Sequence, residues 1–402
     1  MEKQLEKVLS DRINNLSESQ TLAMTSLARE LKAQGKNIIS LSIGEPDFDT
    51  PDFIKDAAKK AIDDNFTHYS PVPGYPELRQ AICTKLKRDN NLDYSPNDIV
   101  VSTGAKHSLA NLAITILNPG DEVIIPAPYW VSYLDMVKIA EGIPVIIDAS
   151  IETDFKVTPS QIKSVITEKT RMLWFSSPCN PSGSVYSKEE LFEIAQLIKD
   201  YPNIIIVSDE IYEHISFTGK HESIAQFDFI KDQVVTVNGV SKGFAMTGWR
   251  LGFIAAPKWI ADGCNKMQGQ FTSGTCSITQ KAAQVAFEAD PIVLKDMQAA
   301  FKNRRDLVLS LMAEIPGLKL NEPKGAFYVF PDVSSYFGKS YNGQIINNAT
   351  DLSMFILNEG LVALVTGEAF GDPNCIRISY AASEEVLTEA IKRIKDSLAL
   401  LK

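Results

Sequence analysis

The sequence predicts an α/β fold with a mostly parallel central sheet sandwiched by helices, plus a smaller α+β domain. Between residues 51 and 290 short apolar runs alternate with amphipathic stretches, whereas both flanks mix long helical patterns with isolated apolar runs. Apolar strands separated by helices are typical of a parallel sheet that is covered on both faces. The chain has 402 residues, which is long enough for two such domains.

Seven strands are predicted in the central block, and each contains a short apolar run. They cover residues 98–103, 122–127, 143–148, 171–177, 204–209, 234–238 and 250–256. Apolar residues recur with helical spacing between several of these runs, which predicts helices at 105–117, 131–140 and 187–200. Strands that alternate with helices in this way form parallel β-α-β units.

The two flanks are predicted to build the smaller domain together. Helical patterns occupy residues 15–34, 293–314 and 349–359 and the segment from Ser383 onward. We therefore expect a small domain made of 1–50 and 291–402, and a large ligand-binding domain of 51–290. In open α/β sheets ligands bind beyond the carboxyl ends of the strands, so the residues that follow the predicted strands are candidates for a site.

Composition and charge argue against several classes of function. A net charge of −10 disfavours nucleic acid as a partner, because phosphate binding needs a basic face. No run reaches the ~18 apolar residues of a membrane helix, and the polar first residues predict no signal peptide. The five cysteines form no CxxC pair and the four histidines lack metal-ligand spacing. We expect reduced thiols, no metal, no membrane and a cytoplasmic location.

Lys242 and Arg250 follow the sixth predicted strand, and no other charge separates them. Two cations in apolar surroundings need an anionic or electrophilic partner. A lysine in an apolar pocket has a lowered pKa and becomes a nucleophile toward carbonyl groups. The alternative is a surface lysine whose aliphatic stem lies along the protein.

Four other predicted strand ends each offer a polar or aromatic group. Ala105 opens a helix whose free amides form an anion site, and Lys106 in its first turn needs an anionic partner or points into water. Trp130 is either a stacking platform or core filler. Asn180 is a turn residue or a ligand-binding amide, and Asp209 is a buried carboxylate that needs a cation or a helix N-cap.

Each of these groups has an ordinary structural explanation, but together they fit one ligand. Amides for a phosphate, an aromatic plate, an amide side chain, a carboxylate and an amine match a flat pyridinium aldehyde that carries a phosphate. That ligand is pyridoxal phosphate. The five strand ends therefore predict a site for this cofactor.

Motifs that follow one another along nearly the whole chain, from about Ser17 to the C-terminus, resemble those of a known family. They are SLSIGEPDFDTP, HYSPVPGYPELR, PYWVSY, NPSG, SDEIY, SKGFAMTGWRLG and IRISYA. The sequence resembles the class I aminotransferases of the aspartate aminotransferase family, which have fold type I of the pyridoxal-phosphate enzymes, and within them a bacterial subgroup. One departure is Cys179, where the family usually has asparagine.

The resemblance implies an activity and assigns the residues around the cofactor ring. The amino group would move between L-aspartate or glutamate and 2-oxoglutarate or oxaloacetate by a ping-pong mechanism. Lys242 would form the internal aldimine and later move the proton at the substrate Cα. Asp209 would pair with the pyridinium nitrogen, which keeps the ring an electron sink. Tyr212 and Asn180 would hydrogen-bond the ring hydroxyl, and Trp130 would stack on the ring.

Other matches concern the cofactor phosphate and the substrate carboxylates. The phosphate would be held by Gly104, Ala105, Ser241 and Arg250, with Lys106 beside them. Arg377 would grip the substrate α-carboxylate as a bidentate pair next to the backbone of Gly44, with Trp130 and Asn180 also lining the substrate. In the bacterial subgroup, the positions of Lys106 and Thr21 meet the distal carboxylate of a dicarboxylate substrate.

Tyr69 resembles a tyrosine that reaches the phosphate of the neighbouring subunit, which implies a homodimer with shared active sites.

Several alternatives to an aspartate enzyme remain open on the sequence. Within transaminases these are prephenate, aromatic amino acids or alanine as substrate. A C–S lyase or an aminocyclopropane carboxylate synthase is a second class on this fold. A ligand-sensing module is a third, but it would carry an N-terminal DNA-binding domain, for which about 20 polar residues before the first motif are too few.

Overall fold

The computed structural model describes residues 8–17 and 20–402, and its largest element is a seven-stranded sheet. Shorter strands lie on either side of the central block. The strands of the described residues are β1 (Ile39–Ser40), β2 (Ile99–Ser102), β3 (Glu122–Ala127), β4 (Ile143–Asp148), β5 (Thr170–Ser176), β6 (Ile205–Asp209), β7 (Val234–Gly239), β8 (Gly252–Ala255), β9 (Tyr328–Val329), β10 (Ser340–Tyr341), β11 (Gln344–Ile345), β12 (Val362–Ala363), β13 (Val365–Thr366) and β14 (Ile376–Ser379).

The large sheet has the strand order β2-β8-β7-β6-β5-β3-β4. Strand β8 runs antiparallel to both of its neighbours, and every other adjacent pair is parallel. The predicted mostly parallel sheet is therefore confirmed, and each strand lies within two residues of its predicted bounds. The last strand begins at Gly252 and not at Arg250, because Arg250 has a φ of 54°, which an extended strand does not allow.

Helices cover both faces of this sheet. The α-helices of the described residues are α1 (Asp11–Asn14), α2 (Gln20–Ala33), α3 (Asp52–Asp63), α4 (Pro76–Asn90), α5 (Ala105–Ile116), α6 (Ser132–Ile139), α7 (Pro159–Val165), α8 (Lys188–Ile198), α9 (Lys258–Phe271), α10 (Ser277–Glu288), α11 (Lys295–Met312), α12 (Ala349–Phe355) and α13 (Glu384–Leu398). A π-helical segment, Ile356–Gly360, continues α12.

All the predicted helices appear at their expected places within the described residues. The predicted helix at 15–34 corresponds to α2, although residues 18–19 lie outside the described residues, as do residues 1–7 of the predicted small domain. Helix α11 begins at Lys295, two residues later than predicted, because a short 3₁₀ segment, Pro291–Leu294, precedes it. Proline fixes φ and suits the first turn of such a segment.

Alternate side chains of the strands enter two separate cores, one on each face of the sheet. Val101 and Ile206 pack with helices α3, α4, α8 and α10. Their neighbours Val100 and Val207 point the other way and pack with α5, α6 and α9. Because successive residues of a strand face opposite sides, a strand that is buried on both faces is apolar throughout. This explains the continuous apolar runs of the sequence.

Helices α5 and α8 begin differently, and the difference concerns the site. Helix α8 has a capping box, in which the Ser187 hydroxyl accepts from the Glu190 amide and the Glu190 carboxylate accepts from the Ser187 amide at 2.7 Å. Helix α5 follows Gly104, which has a φ of 87° and offers no side chain to cap the helix. The first amides of α5 are therefore available to an anion.

The N-terminal strand joins the C-terminal part in a third core, separate from the two cores of the large sheet. Strands β13, β14 and β9 form an antiparallel sheet, and β1 pairs in parallel with β12. Leu41, just after β1, packs with Ile378 and Leu387 of the C-terminal part. The predicted domain boundaries at residues 50 and 290 stay predictions. Within residues 8–17 and 20–402, no helix has both the length and the apolar character needed to cross a membrane.

Candidate active site

A cavity of about 270 Å³ opens where the parallel strands of the large sheet end. It brings together twelve of the fourteen predicted site residues, which come from the central block and from both flanks. They are Thr21, Gly44, Ala105, Lys106, Trp130, Asn180, Asp209, Tyr212, Ser241, Lys242, Arg250 and Arg377. Of the remaining two, Gly104 borders the Arg250 guanidinium, whereas Tyr69 is fully exposed and lies outside the cavity.

Lys242 lines this cavity from the turn that follows β7. Its Nζ donates a hydrogen bond to the backbone oxygen of Gly44 at 2.5 Å. The N-terminal flank of the chain therefore contacts the central block at this amine. Burial lowers the pKa of Lys242 to about 8; Glu45 opposes this shift, and Arg377 adds to it. About a tenth of the amine is therefore unprotonated at pH 7 and able to attack a carbonyl carbon, far more than for a lysine of ordinary pKa.

Asp209 is the last residue of β6 and is almost fully buried. Its Oδ2 accepts a hydrogen bond from the Tyr133 hydroxyl at 2.7 Å, and its Oδ1 accepts from the Ile211 amide at 3.2 Å. Burial raises the pKa of Asp209 to about 6, although both hydrogen bonds act in the opposite direction. The carboxylate is thus held in one orientation, and a cation beside it would be strongly favoured.

Arg377 occupies β14 and is buried. Its Nη1 donates to the Asn180 side-chain oxygen at 3.0 Å, and its Nη2 donates to the Ser42 carbonyl at 2.6 Å. The guanidinium also lies 4.6 Å from the Tyr328 ring centroid and 4.8 Å from that of Phe370. Burial lowers its pKa, and no carboxylate of the described residues forms an ion pair with it. The guanidinium is therefore available for a carboxylate of a ligand.

Arg250 and the start of α5 form a cradle for a second anion. The Arg250 side chain donates to the Thr247 carbonyl at 2.8 Å and has no ion pair among the described residues. A Cβ added to Gly104 would lie 2.4 Å from the Arg250 Nη2, and one added to Gly252 would lie 2.2 Å from the Ala105 amide nitrogen. Two glycines therefore allow the guanidinium and the uncapped amides to approach each other.

Tyr212 and Tyr328 form a pair at the wall of the cavity. Their hydroxyl oxygens are 2.8 Å apart, and both rings are buried. A Cβ on Gly44 would lie 2.3 Å from the Tyr328 hydroxyl, so glycine allows the segment that carries Ser42 and Gly44 to pack against this pair. Burial raises the pKa of both tyrosines, and at neutral pH each is a neutral hydroxyl that can donate.

Lys106, Trp130 and Thr21 line another part of the cavity. The Lys106 Nζ lies 4.9 Å from the Trp130 ring centroid. Burial lowers the pKa of Lys106, and the nearby Arg250 lowers it further. The Thr21 hydroxyl is buried and makes no hydrogen bond to the described residues. Both side chains thus retain hydrogen-bonding capacity that a ligand could use.

Sequence reasoning assigned no role to several residues that shape this site. Tyr133 binds Asp209, Tyr328 and Phe370 flank Arg377, and the Thr247 hydroxyl binds the carboxylate of Glu45. Tyr133 lies within the PYWVSY motif, so the motif contained the signal, but its partner could not be inferred from spacing. Tyr328 lies in an apolar run of the C-terminal flank, where an aromatic residue is typical of the core, and Phe370 lies in a short loop segment with no motif of its own.

Cys179, the departure from the family pattern, is buried next to Asn180. Its thiol donates to the Pro128 carbonyl at 3.6 Å, and burial raises its pKa. It is not among the residues that line the cavity. The substitution therefore leaves the polar lining of the site unchanged.

Comparisons with known proteins agree with this geometry. The family described as aminotransferase class I and II matches residues 36–394. The chain belongs to this family. A Petunia hybrida protein described as a bifunctional aspartate aminotransferase and glutamate/aspartate-prephenate aminotransferase is 48% identical over 399 residues, which cover 98% of this chain and 83% of that protein.

Two crystal structures resemble the fold of this aminotransferase closely. Aspartate aminotransferase from Rhizobium meliloti has a TM-score of 0.95 and 40% sequence identity, covering 98% of this chain and 99% of that one. Aspartate aminotransferase from Thermus thermophilus with maleate has a TM-score of 0.91 and 38% identity, covering 97% and 99%. The predicted fold type and aminotransferase class are therefore confirmed.

Aminotransferases of this family use pyridoxal phosphate, and the cavity fits this cofactor. The uncapped amides of α5 and the guanidinium of Arg250, which has no carboxylate partner in the described part of the chain, suit a phosphate dianion. The Lys242 amine suits an aldehyde, and the buried Asp209 suits a basic ring nitrogen. These groups line one cavity, which is the arrangement that the strand ends predicted.

Proposed function

We propose that this aminotransferase uses L-aspartate and L-glutamate as amino donors and oxaloacetate and 2-oxoglutarate as acceptors. One observation carries the proposal. Arg377 and Lys106, two cations that form no ion pair within the described residues, line the same cavity as the amine of Lys242. A dicarboxylate supplies one carboxylate to each cation, whereas an amino acid with an apolar side chain would offer the Lys106 ammonium no anionic partner in the cavity.

The relatives support this choice of substrate. The solved structure of the Thermus thermophilus enzyme is described as being with maleate, which is a dicarboxylate, and the description of the Petunia hybrida protein includes aspartate aminotransferase. Thr21 adds a buried hydroxyl without a partner among the described residues, which could donate to the same distal carboxylate.

The chain's own residues would perform binding and proton transfer. When bound, pyridoxal phosphate supplies an aldehyde that reacts with amines and a ring that accepts the electron pair left at Cα. Arg250, Ser241 and the first amides of α5 would hold its phosphate, and Asp209 would face its ring nitrogen. Lys242, with a pKa of about 8, would take the proton from the substrate Cα and deliver it to the former aldehyde carbon of the cofactor, on the other side of the nitrogen.

Substrate orientation would come from the other side of the cavity. Arg377 would bind the α-carboxylate through its guanidinium, and Asn180 and Ser42 hold that guanidinium in place. The Tyr212 hydroxyl and the Asn180 side-chain amide would contact the hydroxyl of the cofactor ring, and Trp130 would stack on that ring. The roles of Gly44 and Gly104 would be to leave room for these contacts.

Prephenate is a second candidate substrate. It carries a second carboxylate that Lys106 could bind, and its ring would meet the apolar side chains of Leu22 and Trp130 in the cavity wall. The description of the Petunia hybrida relative includes prephenate as well as aspartate. Both activities use the same cations, so one enzyme can combine them.

A screen of donors and acceptors tests the proposal. Purified enzyme loaded with pyridoxal phosphate should give its highest kcat/KM with aspartate or glutamate as donor. Prephenate should be aminated by either donor if the second candidate is right. Equal kcat/KM for alanine and aspartate would contradict the proposal, and release of pyruvate and ammonia from a cysteine conjugate would indicate a lyase instead.

We also infer that the enzyme is a cytoplasmic homodimer with shared active sites. Tyr69 is fully exposed, although its resemblance to a phosphate-contacting tyrosine gives it a place in a site. A neighbouring subunit that buries this ring would explain how an exposed tyrosine can belong to an active site.

The cysteines support the proposed location. All five lie in the described part of the chain and none forms a disulfide there, as expected in a reducing compartment.

A further inference from the structure

A buried cluster of polar side chains lies beside the turn that carries the catalytic amine. We call it the Lys85 cluster; its members are Lys85, Asn90, Glu213, His214 and Asn238. Lys85 is only 2% exposed, and its ammonium donates to both carboxylate oxygens of Glu213 and to the Asn90 oxygen at 2.8 Å. The Glu213 carboxylate also accepts from the Asn90 amide at 2.9 Å and from the Asn238 amide at 2.6 Å.

The cluster is not explained as a metal site. Asp89, Glu213 and His214 have potential ligand atoms within 4.8 Å of one another, a spacing that a metal ion accepts. However, the Lys85 ammonium already binds Glu213 and lies 3.9 Å from the Asp89 carboxylate. It therefore supplies the positive charge that a metal would bring, and a divalent cation would meet it at close range.

Stability alone does not explain the cluster either. Two ions that are removed from water lose hydration, and an apolar pair of the same volume is often as stable. Burial opposes ionisation of Glu213, but the ammonium of Lys85 outweighs it and holds the Glu213 pKa below its usual range. Burial lowers the pKa of His214 to about 4, so its imidazole packs as a neutral ring.

The cluster contacts both ends of the turn formed by residues 239–243, which we call the lysine turn. At its start, the Asn238 side-chain oxygen accepts from the Gly239 amide at 2.7 Å, while its amide donates to Glu213. At its end, Gly243 packs on His214, and a Cβ there would lie 2.7 Å from the His214 Cδ2. Lys242 and Ser241 lie between these two contacts.

We propose that the Lys85 cluster positions Lys242 for proton transfer by fixing both ends of the lysine turn, with Glu213 and Asn238 as positioning residues. The inference rests on the proposed role of Lys242. The ion pair binds the Asn238 amide through Glu213, and Asn238 in turn holds the first amide of the lysine turn. Proton transfer depends on sub-ångström placement, and a displacement of about 1 Å can lower a rate 100-fold.

The two asparagines of the cluster give a matched test. Both donate to Glu213 from buried positions, but only Asn238 leads to the lysine turn. Asn238→Ala should lower kcat with aspartate at least tenfold while KM stays within twofold, because Arg377 is untouched. Asn90→Ala, which removes hydrogen bonds to Glu213 and Lys85 but none to the lysine turn, should change kcat less than threefold. Equal loss of kcat in the two variants would overturn the proposal.

Hydrogen exchange supplies a readout that does not depend on activity. The amides of residues 239–243 should exchange at least tenfold faster in Asn238→Ala than in Asn90→Ala, measured on the full chain with and without pyridoxal phosphate. Glu213→Gln, which keeps the shape and removes the charge, should give the same exchange pattern even if Asn238→Ala folds poorly. Unchanged exchange of these amides in Glu213→Gln would contradict the proposal.

Two further variants separate the possible failures. Arg305→Met removes another buried cation, which binds Asp306 and Pro323 and is far from the lysine turn in sequence. This variant should lower the melting temperature but should not lower kcat in the way that Asn238→Ala does. Lys242→Ala should lose transamination and the visible absorbance of the bound cofactor. Transamination that survives Lys242→Ala would refute the role of Lys242, whereas a Lys242 effect without an Asn238 effect would refute the positioning alone.

Discussion

Burial shifts the pKa values of two ionisable groups in the site, Lys242 and Asp209, in opposite directions. It lowers the pKa of Lys242 to about 8 and raises that of Asp209 to about 6. In both cases the low dielectric disfavours the charged form. A positively charged ring nitrogen beside Asp209 would restore its ionisation, because an opposite charge stabilises the carboxylate. The pKa values of both groups therefore lie close to neutral pH.

The raised pKa of Asp209 predicts a pH-dependent cost in stability. In the cofactor-free protein, the folded state binds a proton at Asp209 up to about pH 6, whereas the unfolded chain loses it near pH 4. The free energy of unfolding therefore falls as pH rises through this window. Asparagine does not titrate, so Asp209→Asn has no such pH dependence. The free energy of unfolding of the variant minus that of the wild type should therefore increase by about 3 kcal/mol between pH 4 and pH 7.

Urea unfolding of both cofactor-free proteins across this pH range measures the difference. A constant offset is expected from the altered hydrogen bond to the Ile211 amide, so only the pH-dependent part counts. A difference that does not change with pH would show that Asp209 titrates normally. In the loaded enzyme the same variant should bind the cofactor but lose nearly all proton abstraction.

Lys106 should determine the preference for a second carboxylate. Lys106→Met keeps an apolar stem on the Trp130 ring and removes the charge. The kcat/KM for aspartate should fall roughly 10- to 100-fold, the range expected when a hydrogen bond to a charged group is lost. The kcat/KM for alanine and phenylalanine should stay the same or rise, because these substrates have no second carboxylate for Lys106 to bind.

Steady-state kinetics with the four donors aspartate, glutamate, alanine and phenylalanine measure this change. Lys258→Met is a control, because this lysine pairs with Asp262 on α9 outside the cavity and should leave all four values within twofold. Aspartate kinetics that survive Lys106→Met intact would contradict the assignment of a dicarboxylate substrate.

At the scale of elements, the phosphate cradle depends on how closely β8 approaches the start of α5. Strand β8 pairs with β2 in antiparallel register, which places Gly252 opposite Ser102. Helix α5 begins only three residues after Ser102, so its first amide lies directly beside Gly252. The close approach of strand and helix is therefore set by the register of the edge pair.

Gly252→Ala should disturb this cradle. The added Cβ would lie 2.2 Å from the Ala105 amide nitrogen, which is backbone and must shift. We expect the affinity for pyridoxal phosphate to fall at least tenfold, measured by fluorescence titration of the cofactor-free enzyme. Gly248→Ala meets no atom within 4 Å and should stay within twofold of wild type. Equal affinities of the two variants would exclude a role for the close approach.

At the scale of the whole molecule, the site is assembled from distant parts of the chain. The Lys242 amine binds the Gly44 carbonyl, and Arg377 binds both Ser42 and Asn180. Asp47 and Arg304 form a bidentate ion pair close to this junction. A change in how the flanks pack on the large sheet would therefore move substrate-binding groups relative to the amine.

Mixing two variants tests the shared site of the proposed homodimer. Lys242→Ala should be inactive, and Tyr69→Ala should be weak at limiting cofactor. In a hybrid dimer, the Lys242 of one subunit would meet the Tyr69 of its partner, which recreates one intact site. After the two variants are unfolded together and refolded, activity should recover to about a quarter of wild type. No recovery beyond the sum of the pure variants would place Tyr69 in the site of its own subunit or in none.

Much of the fold could be predicted because its signals are local. The seven strands of the large sheet are apolar throughout, since residues such as Val100 and Val101 enter cores on opposite faces. The direction of β8 could not be predicted, because periodicity reports burial and not orientation. Arg250 illustrates the limit at a boundary. Its apolar neighbours predict a strand that begins at Arg250. Its left-handed backbone conformation instead places Arg250 in the turn before β8.

The sequence by itself predicted the chemistry of this protein: an amine, a carboxylate and Arg250 beside strand ends, and Arg377 in a motif of the aminotransferase family. Only the tertiary structure decided which groups hold them, such as Tyr133 on Asp209, Tyr328 on Arg377 and the Lys85 cluster beside the lysine turn. The physical reason is that side-chain identity and periodicity are local properties. Hydrogen bonds between buried groups depend on contacts across more than a hundred residues, as between Lys85 and Glu213.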